Sequence, residues 1–293
     1  MKEIVCISGK GGTGKTSVAA SLAYLAGSSA VIADCDVDAA DMHLLLQPDF
    51  GKSEEFFSGE LAVINQEDCI QCGKCADVCR FDAVVMKNDT YVIDELACEG
   101  CGYCARVCPS NAIINIKQNV GHWYVSTIKT KGKMVHAKLA IGADNSGKLV
   151  AQVKNMSKQI AEENNCDYVI VDGSPGVGCP VISSLSGANY VVLVTEPTQS
   201  GLHDLKRVYD LVHKFNIKAG CIINKYDLNN DISIDIIKFL KEKEIDHLVN
   251  IPYRKEFTEA ITNAQTIVEY DTGELKSIIE ETWENLKNKI RNL

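Results

Sequence analysis

A glycine-rich segment with two lysines, SGKGGTGKTS, occupies residues 8–17 and follows the apolar run Ile4–Ile7. Its pattern Gly-x-x-x-x-Gly-Lys-Thr is that of a phosphate-binding loop, in which glycines let backbone N–H groups approach phosphate oxygens. Lys15 is expected to reach the β- and γ-phosphates, and the Thr16 hydroxyl to hold Mg²⁺. The predicted nucleotide-binding residues of this loop are Gly9, Lys10, Gly11, Gly12, Thr13, Gly14, Lys15, Thr16 and Ser17.

Acidic residues at the ends of two later apolar runs are candidates for the same site. Asp172 ends the run 168–171 and is placed to orient Mg²⁺. Asp36, in Asp-Cys-Asp-Val-Asp at 34–38, is expected to bind Mg²⁺ and position the attacking water. Pro175 and Gly176 are the candidates for sensing the γ-phosphate.

The segment Asn-Lys-Tyr-Asp at 224–227 leaves the nucleobase open. It has the NKxD form that reads guanine, because the Asp227 carboxylate suits the N1–H and N2 amino donors of that base. Alternatively, Asp227 caps the following helix or its preceding turn. ATP and GTP therefore both remain possible from these residues.

Eight of the 13 cysteines form two copies of one pattern between residues 69 and 108. The spacing Cys-x₂-Cys-x₂-Cys-x₃-Cys is that of bacterial ferredoxins, in which the fourth cysteine of each run ligates the other [4Fe–4S] cluster. Zinc is the competing interpretation, since paired Cys-x₂-Cys motifs also bind it. The predicted ligands are Cys69, Cys72, Cys75 and Cys108 for cluster 1, and Cys98, Cys101, Cys104 and Cys79 for cluster 2. Arg80 stands where a proline usually follows the first run.

Composition excludes several classes of function. The chain has 293 residues, 46% of them hydrophobic, and a net charge of −9. Phosphate neutralisation needs clustered Lys and Arg, so a nucleic-acid partner is not expected. No apolar stretch approaches the roughly 20 residues of a membrane span, and the chain opens on Met-Lys-Glu and not on a secretory signal. We therefore expect a cytoplasmic protein without a membrane partner.

The elements that must position these residues alternate between strands and helices, which predicts a doubly wound, mostly parallel α/β sheet. The strands are predicted at 3–8, 30–34, 167–172, 190–195, 219–224 and 247–251, with a hairpin at 122–129 and 134–141. Helices are predicted to start near residues 15, 146, 179, 202, 232 and 256, and a last one to span 274–292.

The cysteine-rich segment interrupts this alternation. From about residue 60 to 117 there is no long helical period, and the nucleotide-binding pattern resumes afterwards. We therefore predict a first part of the P-loop ATPase domain at 1–59, a small inserted α+β ferredoxin-like domain at 60–117, and the second part of the ATPase domain at 118–293.

The motifs Gly9–Thr16, Asp34-Cys-Asp and Asp172-x-x-Pro-Gly resemble those of the deviant Walker A P-loop ATPases, which include the MinD, ParA, Mrp and nitrogenase iron-protein families. The resemblance covers nearly the whole non-inserted chain. It implies ATP as the nucleotide, with Asn224 touching the adenine and Pro252 near its ring. It also implies that Lys10 reaches the nucleotide of a second subunit. Together with Lys15 and Asp36, Lys10 is therefore an expected catalytic residue. The partner subunit would be a second copy or a paralogue.

Cys179 lies seven residues after Asp172, the offset at which the nitrogenase iron protein places a ligand of a cluster shared between subunits. Here Cys179 is either a ligand or redox residue at a dimer interface or a packing residue at a helix start.

The apolar stripe of the last helix, whose other face carries mixed charges, favours a helix docked on the domain over a membrane anchor.

The whole arrangement resembles MinD-superfamily ATPases that contain an inserted ferredoxin domain. Three functional hypotheses follow. The first is an ATPase that gates electron transfer from two clusters to an acceptor protein. The second is an Mrp-like ATPase that assembles or delivers iron–sulfur or metal cofactors to an acceptor, and the third is a MinD-like spatial organiser.

Overall fold

The structure, a computed structural model, describes residues 1–140, 146–291 and 293. The described chain divides into two compact units. Unit 1 consists of Met1–Glu54, Trp123–Lys138 and Ser146–Leu293, and unit 2 of Glu55–His122 with Leu139 and Ala140. The domain boundaries at 60 and 117 stay a prediction from the sequence.

The strands of the described residues are β1 (Lys2–Ile7), β2 (Ala30–Asp34), β3 (Lys52–Ile64), β4 (Val84–Lys87), β5 (Thr90–Ile93), β6 (Ile113–Thr127), β7 (Lys133–Leu139), β8 (Tyr168–Asp172), β9 (Tyr190–Thr195), β10 (Lys218–Asn224) and β11 (Asp246–Ile251). The helices are α1 (Lys15–Ala26), α2 (Met42–Leu46), α3 (Lys74–Val78), α4 (Tyr103–Val107), α5 (Ser146–Glu163), α6 (Cys179–Leu185), α7 (Gln199–Lys214), α8 (Asn230–Glu242), α9 (Glu256–Thr262), α10 (Ile267–Tyr270) and α11 (Glu274–Arg291).

Parallel strands form the centre of unit 1, in the order β11-β10-β9-β1-β8-β2-β7, and each neighbouring pair is parallel. Every residue of β2, β8 and β9 is buried, as expected for strands covered on both faces. The predicted mostly parallel α/β sheet is therefore confirmed.

The register of the central strands brings the predicted site residues to one edge of this sheet. Asp34 at the end of β2 pairs with Asp172 at the end of β8, and Cys6 of β1 pairs with Asp172 from the other side. The loops after β1, β2 and β8 therefore start side by side at the carboxyl edge, where open α/β sheets bind ligands.

Helix α11 packs its apolar stripe into the core of unit 1. Leu275, Ile279, Trp283, Leu286 and Ile290 are each 5% exposed or less and belong to the main hydrophobic cluster. The prediction of a docked helix is confirmed. None of the helices that the structure describes is both long and apolar enough to cross a membrane.

Caps explain where two helices begin earlier than the apolar pattern predicts. Helix α7 begins at Gln199 because the Thr198 hydroxyl accepts the Gly201 N–H, and α8 begins at Asn230 because Asn229 accepts the Ile232 N–H. Strand β6 begins at residue 113, nine residues before the predicted start at 122. The sequence pattern does not predict α2 or β3. The predicted ends Ile141 and Asn292 lie outside the described residues.

Unit 2 contains an internal structural repeat that matches its sequence repeat. Helices α3 and α4 pack together, and each is preceded by a left-handed glycine, Gly73 with φ 76° and Gly102 with φ 70°. A side chain at either position is disfavoured by this backbone conformation. Strands β4 and β5 form an antiparallel pair. The two cysteine runs therefore adopt the same local fold twice.

A buried ion pair in unit 1 gives a first prediction. Glu3, 1% exposed, lies 2.7 Å from the ammonium of Lys154, which is 3% exposed, and 2.9 Å from that of Lys158. Glu3→Met leaves the buried Lys154 ammonium with the carbonyls of Ser184 and Ser186 but without its carboxylate partner, so the free energy of unfolding in urea should fall by about 3–5 kcal/mol. Lys158→Ala should cost about 1 kcal/mol or less, because that side chain is 30% exposed. Glu3→Met with Lys154→Met should recover most of the loss, and no recovery would contradict the explanation.

Candidate functional site

The glycine-rich loop is held by contacts that admit no side chain at two of its glycines. Gly14 precedes α1 with φ 88°, and a Cβ there would lie 2.3 Å from Nδ2 of Asn224. A Cβ on Gly9 would lie 2.4 Å from the backbone of Asp204 in α7. These glycines are therefore required by close approach, which is the reason the motif contains them.

A groove of about 310 Å³ opens over this loop. It is lined by Gly11–Ser17 together with Asp36 and Pro175, which the sequence predicts, and by Leu44, Leu45 and Ile261, which it does not. The volume lies in the usual range of small-ligand sites. Leu44 is 45% exposed on α2, and the three consecutive leucines at 44–46 are the sequence signal that could have indicated this apolar wall.

Lys15 lies at the centre of the acidic residues predicted for Mg²⁺. Its ammonium is 2.7 Å from Oδ1 of Asp172 and 3.4 Å from Oδ2 of Asp36. The Thr16 hydroxyl donates to Oδ2 of Asp172 at 2.8 Å. Burial opposes protonation of Lys15, but Asp172 and Asp36 outweigh it and raise the pKa of Lys15. The structure thus brings Lys15, Thr16, Asp36 and Asp172 together.

Three carboxylates share this one buried cation, so the cluster has an excess of negative charge. Burial, followed by the charge of Asp172, raises the pKa of Asp34 well above its usual value. Burial also raises the pKa of Asp36, a shift that Lys15 opposes and Asp172 reinforces. Oδ2 of Asp34 has no hydrogen-bond partner among the described residues. The carboxylate and hydroxyl oxygens of Asp36, Asp172 and Thr16 are ligands of the kind that a hard divalent cation prefers.

Lys10 is bound within its own chain. Its ammonium lies 2.8 Å from Oε1 of Glu196 and donates to Oγ1 of Thr198 at 3.1 Å and to Oγ of Ser200 at 3.0 Å. The side chain remains 27% exposed. No sequence motif points to Glu196, because its contact with Lys10 joins residues far apart in the chain.

The Asn-Lys-Tyr-Asp segment contacts the loop in a way that only the structure reveals. Asn224 donates to the carbonyl of Thr13 at 2.8 Å, and Lys225 donates to that of Gly12 at 3.0 Å. Oδ1 of Asp227 accepts the N–H of Tyr253 at 2.7 Å, so Asp227 does not cap α8.

Three other predicted nucleotide contacts lie elsewhere in unit 1. Asn224 and Pro252 do not line the groove, and their contact with the base stays a prediction. The Gly176 N–H donates to the carbonyl of Ser8 at 2.9 Å, so it must leave this partner before it can bind a phosphate.

The two cysteine runs of unit 2 line two separate cavities in the interleaved sets that the spacing predicts. One cavity is lined by Cys69, Cys72, Cys75 and Cys108. The other is lined by Cys79, Cys98, Cys101 and Cys104. Each set combines three cysteines of one run with the fourth of the other.

Burial repeats between the two runs as well. The second cysteine of each run is exposed, the third is buried, and the first and fourth are intermediate. Burial opposes ionisation of Cys108, but hydrogen bonds from Ser110 and the Ala112 N–H lower its pKa. Within the described residues, no group of three or more His, Cys, Asp or Glu is placed to hold a single metal ion. A cubane cluster spreads its four thiolates over four irons, and the all-cysteine donor set of each cavity fits an iron–sulfur group.

Cys179 is exposed at the start of α6, and a Cβ built on Gly147 would lie 3.3 Å from its Cβ. It does not belong to either cysteine set. Its predicted role at a dimer interface stays a prediction.

Comparison with known sequences assigns the chain to a family. The sequence model of the family described as the CobQ/CobB/MinD/ParA nucleotide binding domain matches residues 4–267. The match covers most of the chain, and the chain belongs to this family of P-loop ATPases.

The chain is also similar to individual proteins. A protein of Methanocaldococcus jannaschii, described as uncharacterized, is 38% identical over 230 residues, 78% of this chain and 79% of that protein. The septum site-determining protein MinD of Bacillus subtilis is 26% identical over 130 residues, 43% of this chain and 48% of its own length. The structure of the Pyrococcus horikoshii MinD complexed with Mg-ADP matches with a TM-score of 0.58 at 19% identity, over 97% of this chain and 95% of that chain. At 19% identity, the similarity to this MinD structure indicates a shared fold.

Proposed function

We propose that this MinD/ParA-type ATPase pairs two copies of itself, or one copy with a paralogue, around bound ATP and couples ATP hydrolysis to electron transfer through two [4Fe–4S] clusters in unit 2. The observation that carries the proposal is the interleaved grouping of the eight cysteines around two cavities. Unit 2 corresponds to the inserted ferredoxin-like domain in this proposal.

The nucleotide half of the function rests on the groove and its acidic cluster. The N–H groups of the loop at 9–16 bind the phosphates, and Lys15 moves from Asp172 to the β- and γ-phosphates. Thr16, Asp36 and Asp172 hold Mg²⁺, which neutralises phosphate charge when bound. Asp36 orients the attacking water, and Lys10 of one copy stabilises the charge on the γ-phosphate bound by the other.

ATP is the proposed nucleotide because the guanine-reading carboxylate is already engaged. Asp227 accepts the Tyr253 N–H and lies 3.5 Å from Arg254. To accept from the N1–H and N2 donors of guanine, this carboxylate would have to share or give up its contacts with Tyr253 and Arg254, which disfavours guanine. A MinD relative with Mg-ADP bound supports the same choice.

The cysteines hold the clusters in two sets. Cys69, Cys72, Cys75 and Cys108 ligate cluster 1, and Cys98, Cys101, Cys104 and Cys79 ligate cluster 2. Such clusters, when bound, accept and release single electrons. Cys72 and Cys101 are exposed, so both sets have a side open to an acceptor protein.

A MinD-like role in spatial organisation is the second candidate, and the matches to septum site-determining proteins favour it over electron transfer. A role in spatial organisation would leave the eight cysteines without a function. The apolar face of α11 is buried in unit 1, so this helix has no free apolar face with which to bind a membrane in the way an interfacial helix does. Cofactor delivery, the Mrp-like alternative, would use the same cysteines but release their iron.

Iron analysis with an acceptor present tests the three functions. Protein purified without oxygen should contain roughly eight iron atoms and eight sulfides per chain. Addition of ATP and an apo-acceptor should change the rate of cluster oxidation while the iron content stays constant. Iron transferred to the acceptor would indicate delivery. Iron-free protein that still hydrolyses ATP would contradict the cluster proposal and leave the MinD-like candidate.

A further inference from the structure

Glu196 binds two lysines of the nucleotide site at once. It directly follows β9, and its side chain is 14% exposed. Oε1 lies 2.8 Å from the ammonium of Lys10, and Oε2 lies 2.9 Å from that of Lys225. Burial opposes ionisation of Glu196, but the hydrogen bonds from Lys10 and Lys225 lower its pKa. The carboxylate is therefore charged at neutral pH.

These contacts saturate Lys10. An ammonium has three N–H donors, and those of Lys10 have three acceptors in its own chain: Glu196, the Thr198 hydroxyl and the Ser200 hydroxyl. Lys225 also donates to the carbonyl of Gly12. Glu196 thus connects the loop after β9 with the phosphate-binding loop and the segment after β10.

We propose that Glu196 is a positioning residue that holds Lys10 in a site of its own subunit and thereby opposes ATP-dependent pairing of two copies. The inference depends on the cross-subunit role of Lys10 in the proposed function. Lys10 cannot contact a second subunit's phosphate while all three of its donors are engaged, so pairing includes the loss of this ion pair. The phosphates of ATP compete with Glu196 for Lys10. The strength of the Lys10–Glu196 ion pair therefore determines how much of the free energy of dimerisation is used to release Lys10.

Glu196→Gln tests the proposal, because it removes the charge and keeps the shape. In the full-length protein with a non-hydrolysable ATP analogue, the dimer dissociation constant should fall. A partly exposed ion pair changes an equilibrium by roughly fivefold, and each dimer releases two, so we expect a fall of roughly 25-fold in sedimentation experiments. With ADP, both proteins should stay monomeric. Glu284→Gln, which removes the same charge from an exposed pair with Lys287 on α11, should leave the constant unchanged.

A dissociation constant that is unchanged or raised in Glu196→Gln would overturn the proposal. A residue that only supports the loop would alter the melting temperature or ADP affinity without strengthening the ATP dimer. Lys10→Ala separates this failure from failure of the proposed function. If Lys10→Ala loses the dimer while Glu196→Gln has no effect, only the role of Glu196 is wrong. If Lys10→Ala dimerises normally, the cross-subunit lysine itself is wrong.

Discussion

Lys10→Ala is expected to lower kcat for ATP hydrolysis by roughly 10³-fold, the lower end of the effect of a cation supplied across an interface. The reason is charge: in the transition state negative charge is spread over the γ-phosphoryl oxygens and the leaving oxygen of ADP, and Lys10 of the second subunit is the cation proposed to stabilise it. Lys10 lies outside the residues that line the groove, so the variant should bind ATP within about threefold of the unchanged protein. Steady-state hydrolysis and nucleotide titration measure the two quantities separately.

Lys15→Ala is the contrasting variant. It removes the cation within 2.7 Å of Asp172 and 3.4 Å of Asp36, leaves three carboxylates without compensation, and should therefore lose nucleotide binding itself. Lys238→Ala, on the surface of α8, is the matched control and should behave as the unchanged protein. If Lys10→Ala lost nucleotide binding and hydrolysis in equal measure, or neither, a role of Lys10 that acts on hydrolysis and not on binding within one subunit would be contradicted.

The residues whose positions the sequence predicts correctly are those that are placed by local sequence. The run before Gly9 and the run ending at Asp172 are continuous and apolar, so the strands and the edge they share follow from the pattern alone. Gly14 and Thr16 belong to one short motif, whose geometry depends on neighbouring residues. The parallel order of the strands then brings Asp36 and Asp172 to Lys15.

The residues that the sequence does not predict act through contacts between distant segments. Glu196 is 186 positions from Lys10, and no spacing rule relates them. The family resemblance predicts that Asn224 touches the base, whereas in the structure its amide donates to the Thr13 carbonyl, because Gly14 leaves room for it. Helix α2 has five residues, too few for a helical period to be recognised, so the wall formed by Leu44 was missed.

The cysteine runs combine local and distant contacts. Their spacing predicts which cysteines are ligands, and it also predicts that the fourth cysteine of each run ligates the cluster of the other run. Two assignments are chemically possible: each run ligates its own cluster, or the fourth cysteine of each run ligates the other. The cavities favour the exchanged assignment, with Cys108 beside Cys69 and Cys79 beside Cys98. Paired substitutions distinguish the two.

Cys79→Ala with Cys101→Ala removes two ligands of one exchanged set, so the protein should keep roughly four of its eight irons. Cys79→Ala with Cys69→Ala removes a ligand from each set and should lose nearly all roughly eight. If each run ligated its own cluster, the two results would be reversed, because Cys79 and Cys69 belong to the same run. Iron and sulfide analysis after anaerobic purification gives the answer, and Cys179→Ala, outside both sets, should retain all of the iron. If the two double variants contained the same amount of iron per chain, both assignments would be contradicted, and with them the proposed electron-transfer function.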